Sequence, residues 1–136
     1  MSEQNKKVVV DFIQAINRAD GAGAAKCLAP DVQAVIKNTC KIAASRSYDQ
    51  IVNSIDAFKK LMPAGLKPTI LTVLAEDNRV VVEFEGNAIL ANGTPYSNEY
   101  AMVFTVEGGK IKRVHEYFCS KLVDEAVWPL VAGTAF

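Results

Sequence analysis

No run of apolar residues in this 136-residue chain approaches the roughly 20 needed to span a bilayer, so a membrane helix is not expected. Nor is there an excess of either charge. Lys plus Arg and Asp plus Glu both number 15, a balance that offers no electrostatic footprint for nucleic acid or an anionic membrane surface. Neither is expected as a partner. Cysteine is scarce and odd in number: Cys27, Cys40 and Cys119 have no metal-ligand spacing, which argues for reduced thiols rather than a disulfide framework or a zinc site. Histidine occurs once, at His115, so no paired-histidine metal motif exists. There is no Gly-rich phosphate loop and no dinucleotide fingerprint; no metal and no cofactor are expected. Met1 to Lys7 is polar and leads into no apolar signal core, so a cytoplasmic location is expected.

What the chain does contain is ordinary globular composition, 50% hydrophobic and 22% charged. One domain covering residues 1–136 is expected, large enough to bury a core without disulfides. Its organising stretch is Val80 to Cys119. Here three strands are expected, joined by turns at Asn92-Gly93 and Gly108-Gly109. Within the middle strand Tyr96, Asn98, Tyr100, Met102 and Phe104 share one face, and Ser97, Glu99, Ala101, Val103 and Thr105 the other. A large apolar face interrupted by an amide and two phenols reads as a cavity wall rather than dry core.

Before this stretch, Val9, Phe12, Ile13 and Ile16 recur at helical spacing from Asn5, a candidate cap, to Ala19. Asp20 is placed to cap a short second helix that Pro30 would stop. Val32 to Lys37 reads as a short first strand and Asn38 to Arg46 as a loop. Ser47 and Gln50 form a capping box for a third helix carrying Ile51, Ile55, Phe58 and Met62. Thr69 to Ala75 is rich in β-branched residues and turns at Asp77-Asn78, so four strands form an antiparallel meander. Ser120 is a candidate cap for a last helix ending near Pro129; Val131 to Phe136 shows no pattern. Helices first and a meander afterwards predict an α+β fold, with a strongly twisted sheet curling around its helices and leaving a cone-shaped cavity.

This layout resembles the SnoaL-like branch of the nuclear-transport-factor-2-like superfamily, which includes ketosteroid isomerase. The likeness is carried by Phe12-Ile13-Gln14-Ala15-Ile16-Asn17-Arg18-Ala19-Asp20 continuing to Leu28-Ala29-Pro30-Asp31-Val32, by Tyr96-Ser97-Asn98-Glu99-Tyr100 with Val103-Phe104, and by Gly109-Lys110-Ile111 with Val114-His115-Glu116-Tyr117-Phe118. The resemblance implies a cone-shaped curved antiparallel sheet (the meander plus the short first strand) under about three helices. It also implies a cavity for a small hydrophobic molecule and a homodimer through the convex sheet face. Alternation alone leaves either face of Ile111 to Cys119 free to point inward. By similarity Val114, Glu116 and Phe118 face the cavity, joined by Val80, Val82, Phe84, Gly86, Asn98, Tyr100 and Met102 from the sheet and by Phe12, Ile55 and Phe58 from the helices. Tyr96 is expected at the rim, and Glu83, Glu85, Arg113, His115 and Tyr117 on the convex side.

Ketosteroid isomerases need an Asp base, a helix-one Tyr and a protonated Asp. In this register Ile36, Phe12 and Met102 stand at those places, so Δ5-isomerase chemistry is not expected. Glu116 is the candidate proton-transfer group, since a carboxyl facing an apolar cavity has its pKa raised and can act as a general acid or base. Tyr100 and Asn98 are candidates to hold a ligand oxygen. All three could equally form a buried polar network that fixes the sheet. Two readings follow: a cofactor-independent isomerase, cyclase, dehydratase or hydrolase, or a non-catalytic ligand-binding or protein-interaction module.

Overall fold

A computed structural model describes residues 2–134. Helix α1 (Ser2–Asn17) buries Val9, Phe12 and Ile13 along one stripe. It starts ahead of Asn5, which therefore lies within the helix and does not cap it. Asp20 does cap α2 (Gly21–Ala25), its Oδ1 accepting from Gly23 N at 2.9 Å. The chain then enters β1 (Leu28–Ile36), longer than expected and running through Pro30. Pro30 is tolerated because the ladder with the neighbouring strand is interrupted between Leu28 and Gln33, where no amide is called on to donate.

Ser45-Arg46, expected within a loop, instead forms the two-residue strand β2, with Ala34 opposite Arg46. Ser47 closes a full capping box with Gln50 at the start of α3 (Tyr48–Leu61). The meander is β3 (Lys67–Glu76), β4 (Arg79–Ile89), β5 (Pro95–Glu107) and β6 (Lys110–Phe118). The sheet order is β2-β1-β6-β5-β4-β3. One ladder departs from the antiparallel expectation: β1 runs parallel to β6, because the chain crosses over through β2, α3 and the meander before returning beside it.

Two bulges bend the sheet. On β3 an extra residue, Leu71, separates the Ile70–Phe84 and Thr72–Glu83 pairs. On β6 the extra residue is Lys112, between Ile111 opposite Val106 and Arg113 opposite Thr105. The second bulge resolves the ambiguity of the last strand, since it flips parity: Ile111 is buried before it, and Val114, Glu116 and Phe118 face inward after it.

After Phe118 come α4 (Ser120–Leu122), a π-helical turn over Val123–Val127, and α5 (Trp128–Val131). Cys119 rather than Ser120 is the N-cap residue, and Pro129 sits in the first turn of α5, where its missing N–H is harmless, instead of ending the helix. Ala135 and Phe136 lie outside the described residues.

The interior divides into two apolar clusters. One joins α1, α2 and α3 to Val80, Val82, Phe104 and Val114. The other packs Leu61, Met62, Leu66, Leu90 and Tyr96 against Val123, Val127 and Val131 of the C-terminal segment. Tyr100 touches both.

Candidate functional site

Between helices and sheet lies a cavity of about 170 Å³. Its floor follows from strand alternation and register. One cross-strand row is Phe84–Tyr100–Phe118 and the next Val82–Met102–Glu116–Ile36. Helices α1 and α3 roof it with Phe12, Ile55 and Phe58, and Val123 and Val127 close one side. Ile36, Phe84, Tyr96, Met102, Val114, Glu116 and Phe118 also line it, with Tyr100 among them. Val80, Val82, Gly86 and Asn98 do not. Val82 is fully buried against its neighbours in the core, and Asn98, 3% exposed, spends its amide elsewhere.

That amide is saturated. Asn98 Nδ2 donates to Tyr96 Oη at 2.8 Å and to the Cys119 carbonyl at 3.1 Å. Its Oδ1 accepts from Glu99 N at 2.8 Å and Cys119 N at 3.1 Å. All four hydrogen-bonding places of the side chain are thus taken, pinning the end of β6 to β5. Tyr96, expected at the rim, is buried at 4% exposure because Asn98 and the C-terminal segment cover it. Its hydroxyl lies 3.1 Å from that of Tyr100. The Tyr100 ring stacks on Phe84 with centroids 4.8 Å apart and meets Phe118 edge-on at 6.0 Å. Its phenol is therefore held in one position.

Glu116 stands apart from this network: the bonds of Asn98 go to Tyr96 and Cys119, and the hydroxyl of Tyr100 meets Tyr96. Tyr100 and Glu116 are diagonal neighbours across the β5–β6 ladder, about 7–8 Å apart at the backbone, which leaves room for ligand atoms between their tips. Glu116 lines the cavity and keeps an intermediate accessible surface. Desolvation there raises its pKa above the ordinary glutamate value, and the positive charge of Arg46 partly opposes the rise. Burial also pushes the Tyr100 phenol well above its usual range, with the nearby Tyr96 and Glu116 adding to the effect.

Three polar residues of the wall escaped the sequence reading. Arg46 reaches the cavity because β2 pairs with β1, and a two-residue strand leaves no alternation to read. Ser54 lines it from α3, but its hydroxyl bonds the Ile51 carbonyl at 2.7 Å. Asn17, at the end of α1, is 6% exposed, and its Nδ2 has no hydrogen-bond partner among the described residues. A polar residue in the last turn of an apolar stripe was the available signal.

His115 lies on the opposite face of β6 from Glu116, and its pKa is lowered by partial burial and by Lys37, Arg113 and Arg79. Among the described residues no three His, Cys, Asp or Glu side chains cluster as a metal site, and no helix is long and apolar enough to cross a membrane.

The model of one protein family, the SnoaL-like domain, matches residues 9–114. No curated protein matches the chain in sequence. Solved structures share the fold. Bal32a, from a soil-derived mobile gene cassette, superposes with a TM-score of 0.79 at 20% identity, over 92% of this chain and 97% of its own. A proposed SnoaL-like polyketide cyclase from Jannaschia sp. CCS1 gives 0.76 at 15% identity, over 93% and 92%. A protein with a ketosteroid isomerase-like fold from Catenulispora acidiphila DSM 44928, in complex with trimethylamine, gives 0.74 at 16% identity, over 88% and 91%. At these identities the likeness is one of fold.

Proposed function

The chain belongs to the SnoaL-like family, and from that premise we propose that it is a cofactor-independent acid–base protein whose cavity takes a small hydrophobic molecule. The observation that carries this reading is Glu116, a carboxyl with raised proton affinity lining a mostly apolar wall. In its ionised form Glu116 removes a proton from a carbon next to a ligand carbonyl. The C–H electron pair moves to the carbonyl oxygen as an enolate, and the Tyr100 hydroxyl donates a hydrogen bond to that oxygen. Where the ligand carries a β,γ double bond the enolate is a dienolate, and Glu116, now protonated, returns the proton at its far carbon, which is an isomerisation. Where the enolate carbon instead adds to a second carbonyl of the ligand, the new C–C bond closes a ring and Glu116 gives its proton to the alkoxide oxygen that the broken C=O bond leaves. Asn98 acts as a positioning residue: by donating to Tyr96 it favours Tyr96 donating onward to Tyr100, which leaves the Tyr100 proton for the ligand.

One observation favours a non-catalytic ligand-binding module instead. Phe12, Ile36 and Met102 line the cavity, all three are inert, and by the sequence resemblance they stand at the places where ketosteroid isomerases need proton-handling groups. The pH dependence of ligand affinity and turnover in the wild type and Glu116→Gln separates the two. The enzymatic reading expects turnover that rises as Glu116 ionises and falls at least 100-fold in the variant. Binding and turnover unchanged by the substitution would leave the module reading standing.

A homodimer through the convex face belongs to the same proposal. Leu74, Val81, Val103 and His115 form one cross-strand row on that face, with Leu74 63% exposed. An apolar row of this kind is suited to cover by a second copy.

A further inference from the structure

We propose that the cavity selects compact, roughly one-ring molecules bearing a hydrogen-bond acceptor oxygen, and that Asn17 reads that oxygen. The inference rests on the cavity-binding reading above and adds the ligand class.

Two observations carry it. The first is size. A dry apolar cavity of roughly 150 Å³ accepts benzene. At about 170 Å³ this one takes a single substituted ring, not a fused polycycle. The second is an orphan donor. Asn17 is buried at the cavity wall with its Nδ2 unpartnered, and burying an unpaired amide costs free energy that a solvent-exposed helix end would not incur. The fold does not need that side chain: what holds the α3–β3 corner to α1 is the Asn17 backbone carbonyl, which accepts from Leu66 N at 2.9 Å. No hydrogen bond among the described residues uses the side-chain amide, and a turn of that amide into the cavity it lines offers it a ligand acceptor.

The test compares acetophenone with α-methylstyrene, which has the same shape with a methylene in place of oxygen, by calorimetric titration of wild type and Asn17→Leu. The wild type should prefer the ketone about tenfold, and Asn17→Leu should erase the preference. In wild-type protein alone, the Asn17 side-chain amide resonances should shift downfield with the ketone and not with the hydrocarbon, a readout independent of whether the variant folds. Equal affinity for the two probes, a preference that survives Asn17→Leu, or unmoved Asn17 amide resonances would each overturn the inference and leave the cavity reading intact. Binding of neither probe would overturn both.

Discussion

Glu116 and Asn98 show how differently two polar side chains can be treated inside one sheet. Glu116 has a proton affinity raised by desolvation, so the folded state binds its proton more tightly than the unfolded chain does. The stability penalty of ionising it is absent below the unfolded-state pKa and grows as pH rises through the window up to the raised folded-state value. Glu116→Gln, a mimic of the neutral form, should therefore raise the melting temperature at pH 7, with the gain vanishing as the solution is acidified. Thermal denaturation of both proteins between pH 3 and 8 checks this, and a variant less stable than wild type at pH 7 would refute the desolvation argument. Asn98 is the opposite case, with every polar atom paired. Asn98→Ala strands the Cys119 amide and carbonyl and should cost roughly 3 kcal/mol in chemical denaturation. Asn98 lies on the buried face of β5 as its alternation indicates but not at the cavity wall expected of it, and alternation says nothing about which partners an amide finds 21 residues away.

At the scale of elements, the corner between α3 and β3 is where geometry is tightest. Gly65 has φ +78°, and a Cβ there would lie 2.4 Å from the Asn17 carbonyl oxygen. Gly65→Ala should destabilise by about 2–4 kcal/mol, since both the left-handed backbone and a backbone clash oppose it. Gly86→Ala tests a different contact. Its Cβ would meet Leu66 at 2.6 Å and drive that side chain toward the cavity it lines, so ligand affinity should fall along with roughly 1–3 kcal/mol of stability. Full ligand affinity in Gly86→Ala would show that Leu66 is not part of the binding wall. The capping box at Ser47 and the turn glycines were legible because each is a local rule written in a few adjacent residues. The bulges at Leu71 and Lys112 were not, because a bulge exists only relative to a partner strand. Arg46 was hidden for the same reason: its direction is set by pairing with Ala34, not by its neighbours.

For the whole molecule, the α+β cone followed from the order of helical and alternating segments. The parallel return of β1 beside β6 did not, since sequence order does not give strand order. The C-terminal segment also gained a role the sequence did not disclose. Its π turn brings Val123 and Val127 to the cavity, and Asp124 accepts from Lys41 N at 2.8 Å, binding the segment to the 38–44 loop. On the outer face, Val103→Glu places a charge in the middle of the apolar row. It should convert a dimer to a monomer in light scattering, while a wild-type protein already monomeric at 100 μM would remove the dimer proposal. Proton transfer in the cavity depends on the fold keeping one acid away from bulk water, and carbon-detected NMR titration of the Glu116 side-chain carboxyl measures that directly. A midpoint above the ordinary glutamate value is expected; a midpoint at or below it would mean that Glu116 is solvated and would remove its role as the proton-transfer group.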